Sequence, residues 1–134
     1  MIRVILDTNL WISYLISKRI GKIDELFEHD DLVLLFSEEL LEEFIEVARR
    51  PKFRSYFPSE DVEELLSLFD EPGEIIEVTS EVDLCRDPKD NFLLALAKDG
   101  VADYLVTGDT DLLVIKSFEN TKIVTYREFE ETIA

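Results

Sequence analysis

Val4-Ile5-Leu6-Asp7-Thr8-Asn9 is a short apolar run that ends in a carboxylate and passes straight into residues able to start a helix. A run of that kind suits a strand covered on both faces, as in a parallel sheet flanked by helices. The pattern returns in Tyr104-Leu105-Val106-Thr107-Gly108-Asp109. In an open parallel α/β sheet, ligands sit beyond the carboxyl ends of the strands, so two strand-ending acids can face one pocket. Acids gathered in a pocket point to a metal ion.

Working outward, residues 2–6 read as the first strand, and residues 10–17 as a helix that Thr8 or Asn9 could cap. A short helix over 23–29 and a fully apolar strand over 32–36 follow. Ser37 caps the next helix, whose first turn holds Glu38 and Glu39, where acids favour the dipole; Pro51 stops it after Arg50. Pro58-Ser59 opens a helix over 60–69, Pro72-Gly73 closes it, and 75–78 is a weaker strand. Asp87-Pro88 starts another helix, with aspartate as N-cap and proline at the first helical position, and Gly100 ends it. A strand over 104–106, a helical turn after Asp109, a strand over 122–124 and a helix over 126–132 complete the chain. Strands alternating with helices imply parallel pairing and right-handed crossovers. The expected architecture is a three-layer α/β/α sandwich with a mostly parallel sheet of about five strands, in a single domain over 1–134.

Composition limits the alternatives. With 134 residues, 46% of them apolar, the chain can bury a proper core. The lone cysteine, Cys85, excludes an internal disulfide framework, and no apolar run approaches bilayer length. Met1-Ile2-Arg3 leads into a core strand without a signal-peptide pattern, so a soluble cytoplasmic protein is expected. A formal charge of −17 opposes approach to polyanions. Half of the 14 basic residues nevertheless fall in two short segments: Lys18, Arg19 and Lys22, and then Arg49, Arg50, Lys52 and Arg54. Phe53, Tyr56 and Phe57 accompany the second segment, which suits a surface tracking a nucleic-acid backbone. Equally, Arg49 and Arg50 can complement a helix C-terminus while the aromatics join the core.

In so acidic a chain, placement separates functional acids from solvated ones. Asp7 and Asp109 end buried strands, with Gly108 allowing close backbone approach and Asp111 available as a second ligand or a cap. On the helix after Ser37, Leu40, Leu41, Phe44, Val47 and Ala48 form an inward stripe. Glu43 borders that stripe, whereas Glu39, Glu42 and Glu46 point outward. Asp90 occupies the third position of the helix begun by Asp87-Pro88, where an acid also suits the dipole. His29 reads as solvated or capping and Trp11 as core. One histidine and one cysteine leave no zinc site of such ligands within the chain and no nucleophilic triad, and four glycines supply no phosphate loop. An oxygen-ligand cluster selects Mg²⁺ or Mn²⁺.

Taken in order, Asp7-Thr8-Asn9, the segment from Ser37 through Glu43 to Arg50-Pro51-Lys52-Phe53, Asp87-Pro88-Lys89-Asp90-Asn91-Phe92, and Thr107-Gly108-Asp109-Thr110-Asp111-Leu112-Leu113 resemble the PIN-domain family. The match is nearest to compact bacterial and archaeal members akin to VapC-type ribonucleases, the toxin components of toxin–antitoxin pairs. The resemblance implies a metal-dependent endoribonuclease whose acids lie at the carboxyl edge of the sheet. It maps the family's four acids onto Asp7, Glu43, Asp90 and Asp109, with Asn9, Thr107 and Asp111 in supporting places. It further implies an RNA substrate and a cognate antitoxin protein, and leaves room for a homodimer; no membrane is expected.

Two competitors share parts of this pattern. A non-catalytic module of the same fold would use its acidic surface to bind a basic protein. A phosphoryl-transfer domain would need either a second aspartate at position 9, where Asn9 stands, or an adjacent acid pair before its phosphorylated aspartate.

Overall fold

A computed structural model describes residues 2–17, 31–53 and 73–133. The helices expected over 23–29 and 60–69 lie outside these, as do Lys18, Arg19, Lys22, His29, Arg54, Tyr56 and Phe57.

Strands β1 (Ile2–Leu6), β2 (Leu32–Phe36), β3 (Gly73–Ile75), β4 (Tyr104–Val106), β5 (Ser117–Phe118) and β6 (Thr121–Val124) form one sheet in the order β3-β2-β1-β4-β6-β5. Every pairing is parallel except that of β5 with β6. The apolar runs lie at its centre because burial on both faces demands it: Val4, Ile5, Leu34, Leu35, Leu105 and Val106 are all essentially inaccessible. The expected α/β sandwich is therefore present, with one more strand than expected. That strand, β5, is two residues long and closes a hairpin on β6, with Glu119 in left-handed backbone at its turn.

Helices α1 (Thr8–Ser17), α2 (Glu38–Ala48), α3 (Asn91–Asp99), α4 (Thr110–Leu113) and α5 (Tyr126–Ile133) connect or flank the strands. The chain winds from β1 outward through β2 to β3, then returns to the other side of β1 with β4. This reversal between β1 and β4 is the topological switch point, outside which a ligand crevice opens in such sheets. Trp11 of α1 packs on Phe36 at the end of β2, ring centroids 5.7 Å apart, which anchors the first turn of α1 over that crevice. On α2, Leu40, Phe44, Val47 and Ala48 are buried, and the Ser37 hydroxyl accepts from the Leu40 amide, as the stripe and cap required.

Four local expectations change. The strand expected over 75–78 pairs instead over Gly73–Ile75, at the sheet edge, so Ile75 is exposed rather than buried. Neither Thr8 nor Asn9 caps α1: both are helical, and the Asp7 carbonyl accepts from the Leu10 and Trp11 amides. The helix begun at Asp87-Pro88 is two pieces, a 3-10 turn (Pro88–Asp90) followed by α3, because proline and the Asp87 cap tighten the first turn. A Cβ at Gly108 would meet nothing within 4 Å, so no close approach requires glycine there; at Gly100 it would lie 2.9 Å from Leu35 Cδ1 and from the Leu96 carbonyl.

Candidate metal centre

Asp7 follows the last residue of β1 and Asp109 stands three residues beyond β4, so both project from the carboxyl ends that flank the switch point. The neighbouring strands bring them together: Leu6 pairs with Val106, and the Asp7 amide donates to the Val106 carbonyl. Between them stands Thr107, wholly buried. Its hydroxyl donates to Asp7 Oδ2 at 2.7 Å and accepts from the Asp109 amide at 3.0 Å. One threonine therefore fixes the side chain of an acid just after β1 and the backbone of an acid after β4.

Burial at only 6% exposure raises the Asp7 carboxyl above the usual carboxylate range, against hydrogen bonds from Thr107 and the Thr8 and Asn9 amides, and the charge of Asp109 adds to the rise. Glu43 reaches the same crevice from α2. Its Oε2 accepts from the Thr8 hydroxyl at 2.6 Å; burial raises it first, and the Asp7 charge raises it further. Glu39, Glu42 and Glu46 are exposed, and Glu46 pairs with Arg50 at 3.3 Å.

Asp90 ends the 3-10 turn and stands at the cap position of α3, yet its side chain caps nothing. Its carboxyl lies beside that of Asp109 and is pushed up to about 7, chiefly by burial, then by Asp109, Asp7 and Asp87. Among the described residues no donor reaches its buried Oδ2. Acceptor facing acceptor requires a shared proton or a cation.

Asp87, Asp90 and Asp111 each offer an oxygen within 4.8 Å of the others. Asp87 also caps the 3-10 turn through the Lys89 amide, and Asp109 caps α4 through the Asp111 amide. Sequence reasoning took Asp87 for a cap alone. The signal was its spacing of three from Asp90 across a 3-10 turn, in which residues i and i+3 eclipse. Asn9 is exposed, and it meets the cluster through its backbone amide, which donates to the Asp7 carboxylate. Of the basic segment, Arg49 and Lys52 are exposed, and Arg50 lies near enough to Glu43 to favour its charged form.

Orphaned oxygen, like charges and an all-carboxylate donor set suit a hard divalent cation. Fold and edge define a class: a doubly wound α/β domain with an acidic, metal-type centre at its switch point. The model of the PIN domain matches residues 3–111. An uncharacterized protein of Methanocaldococcus jannaschii is 32% identical over 118 residues, which span 86% of this chain and 76% of that protein. The chain belongs to the PIN domain family. PIN domains are generally nucleases that use divalent metals, and the Asp87–Asp90–Asp111 cluster here could bind one. Among the described residues no helix is long and apolar enough to cross a membrane.

Proposed function

We propose that the chain is a Mg²⁺- or Mn²⁺-dependent endoribonuclease in which Asp7, Asp90 and Asp109 hold the cation and Glu43 orients the attacking water. The observation that carries this reading is the buried Asp90 oxygen that no donor reaches among the described residues, on a carboxyl that meets Asp109 and feels the charge of Asp7. A bound divalent ion would supply charge neutralisation at the phosphate and a more acidic water. The protein's own part is positioning. The Thr107 hydroxyl holds Asp7 and the Asp109 backbone, and the Thr8 hydroxyl aims Glu43 into the crevice. A glutamate held above its usual range by burial is better matched to taking a proton from water near neutral pH. Asp111 and Asp87 extend the acidic rim, whereas exposed Asn9 would act at the edge of the site.

Family membership is also compatible with a role as the toxin of a toxin–antitoxin pair, with a basic antitoxin as cognate partner; a charge of −17 favours such a protein over unaided RNA binding. Arg49, Arg50 and Lys52 remain candidate backbone contacts on that proposal.

Incubating the purified protein with a mixed RNA pool and Mg²⁺, Mn²⁺ or EDTA, alongside Asp7→Asn, tests it. Cutting by the wild type only, and only with metal, is expected. Equal cutting by both proteins marks a contaminating nuclease and removes the support. No cutting, with tight capture of a basic protein, would favour a non-catalytic interaction module.

A further inference from the structure

A centre built from Asp7, Glu43, Asp87, Asp90, Asp109 and Asp111 repels a polyanion on approach, so contact with RNA needs a cation at the rim. Among the described residues, Arg86 is the basic side chain ion-paired into this cluster, with Nη2 2.8 Å from Asp111 Oδ1. Its side chain is 61% exposed. A guanidinium carries five donors in a planar fork, so the contact to Asp111 leaves others directed at solvent beside the acids. An exposed pair of this kind contributes at most about 1 kcal/mol, so stability gives little reason for it.

The position is built. Asn91 Oδ1 accepts from the Leu84 and Cys85 amides, at 3.2 and 2.8 Å, which fixes the backbone entering Arg86. Cys85 is buried with Sγ 3.5 Å from the Asp111 carbonyl, tying this loop to the start of α4. Asp87, the next residue, caps the turn that carries Asp90. Arg86 is thus held at the mouth of the crevice by the groups that shape it.

We propose that Arg86 is the substrate-phosphate contact of this centre, gripping a backbone phosphate of the RNA while remaining paired to Asp111. The inference rests on the RNA-cleaving reading above. Glu43→Gln, which would stop cleavage while leaving the aspartates, supplies a background in which binding of single-stranded RNA with Mn²⁺ is measured across salt concentrations. Adding Arg86→Gln should weaken binding about tenfold, uniformly across sequences. It should also flatten the slope of log affinity against log salt by about 0.7, the loss of one single-strand phosphate contact. Arg86→Lys should keep the slope and recover part of the affinity, and Mn²⁺ alone should bind Arg86→Gln no more weakly than the parent, since a positive charge beside the acids is gone. Unaltered RNA affinity and slope in Arg86→Gln, or a parallel loss of Mn²⁺ affinity, would assign Arg86 to holding Asp111 and overturn the inference. If the parent binds no RNA and the wild type cuts none, the nuclease reading itself has failed, before Arg86 is substituted.

Discussion

The two ends of the same parallel sheet treat charge in opposite ways. Toward the amino ends, Arg3 is satisfied: its Nε donates to the Gly100 carbonyl at 2.7 Å, its Nη1 pairs with Glu74 at 3.0 Å, and its amide donates to Asp103. At the carboxyl ends, burial raises Asp7, Glu43 and Asp90 alike; the charge of Asp109 adds to Asp7, that of Asp7 to Glu43, and Asp109, Asp7 and Asp87 to Asp90, one of whose oxygens no donor reaches among the described residues. Complementary charge at one end ties strands and a helix terminus together. Like charge at the other is tolerated only where something else is to bind, as expected of a site at which local consistency gives way to function.

The widest separation between the ends should come from Asp109→Asn. Cleavage should fall about 100- to 1,000-fold, as for removal of a group acting on transition-state charge. The metal-free variant should melt at or above the wild-type temperature, since one like charge is gone and asparagine can still cap α4. A variant melting well below wild type would break the comparison.

Metal should act at one end only. Mn²⁺ at a hundred times its dissociation constant should stabilise the wild type by about 2.7 kcal/mol, read as a rise in melting temperature that EDTA reverses. The converse substitution, Arg3→Ala, should cost about 1–2 kcal/mol by orphaning the Gly100 carbonyl, with kcat unchanged. A loss of cleavage in Arg3→Ala equal to that in Asp109→Asn would show the two ends to be coupled.

The pH dependence sharpens the contrast. The Asp90 carboxyl is pushed up to about 7 in the fold by burial, with the charges of Asp109, Asp7 and Asp87, above the unfolded value of about 3.9. Its contribution to metal-free stability is therefore complete below about pH 4 and lost as pH rises through about 7. Asp90→Asn, which mimics the protonated acid, should raise the metal-free melting temperature at pH 8 and do so much less at pH 5. The smallest effect belongs to Gly108. Gly108→Ala, in open space, should change stability by less than about 0.5 kcal/mol. Gly100→Ala should cost more, because its Cβ would press on the Leu96 carbonyl.

The core strands were legible because a strand buried on both faces must be apolar throughout, and α2 because Ser37 and the Leu40–Phe44–Val47 stripe state its start and its inward face. The same stripe placed Glu43 apart from its three acidic helix neighbours. What escaped the sequence depends on tertiary contact or on weak local signals. Two residues of β5 carry no periodicity, and edge strand β3 is defined by register with β2 rather than by its apolar run. Asp7 rather than Thr8 stands at the start of α1, where its carbonyl and carboxylate take the first amides of the helix, and the Thr8 hydroxyl goes to Glu43 instead. The meeting of Asp111 with Asp87 and Asp90, and the seating of Arg86 beside it, join segments some twenty residues apart.

The most direct test of the central claim, that like charges at the carboxyl edge are arranged for a cation, is calorimetric titration of the protein with Mn²⁺ at pH 7 in buffers of different ionisation enthalpy. The wild type should bind with release of a fraction of a proton from Asp90, and Asp90→Asn should lose both the release and about tenfold or more in affinity. Equal binding by the two proteins, without proton release, would contradict it.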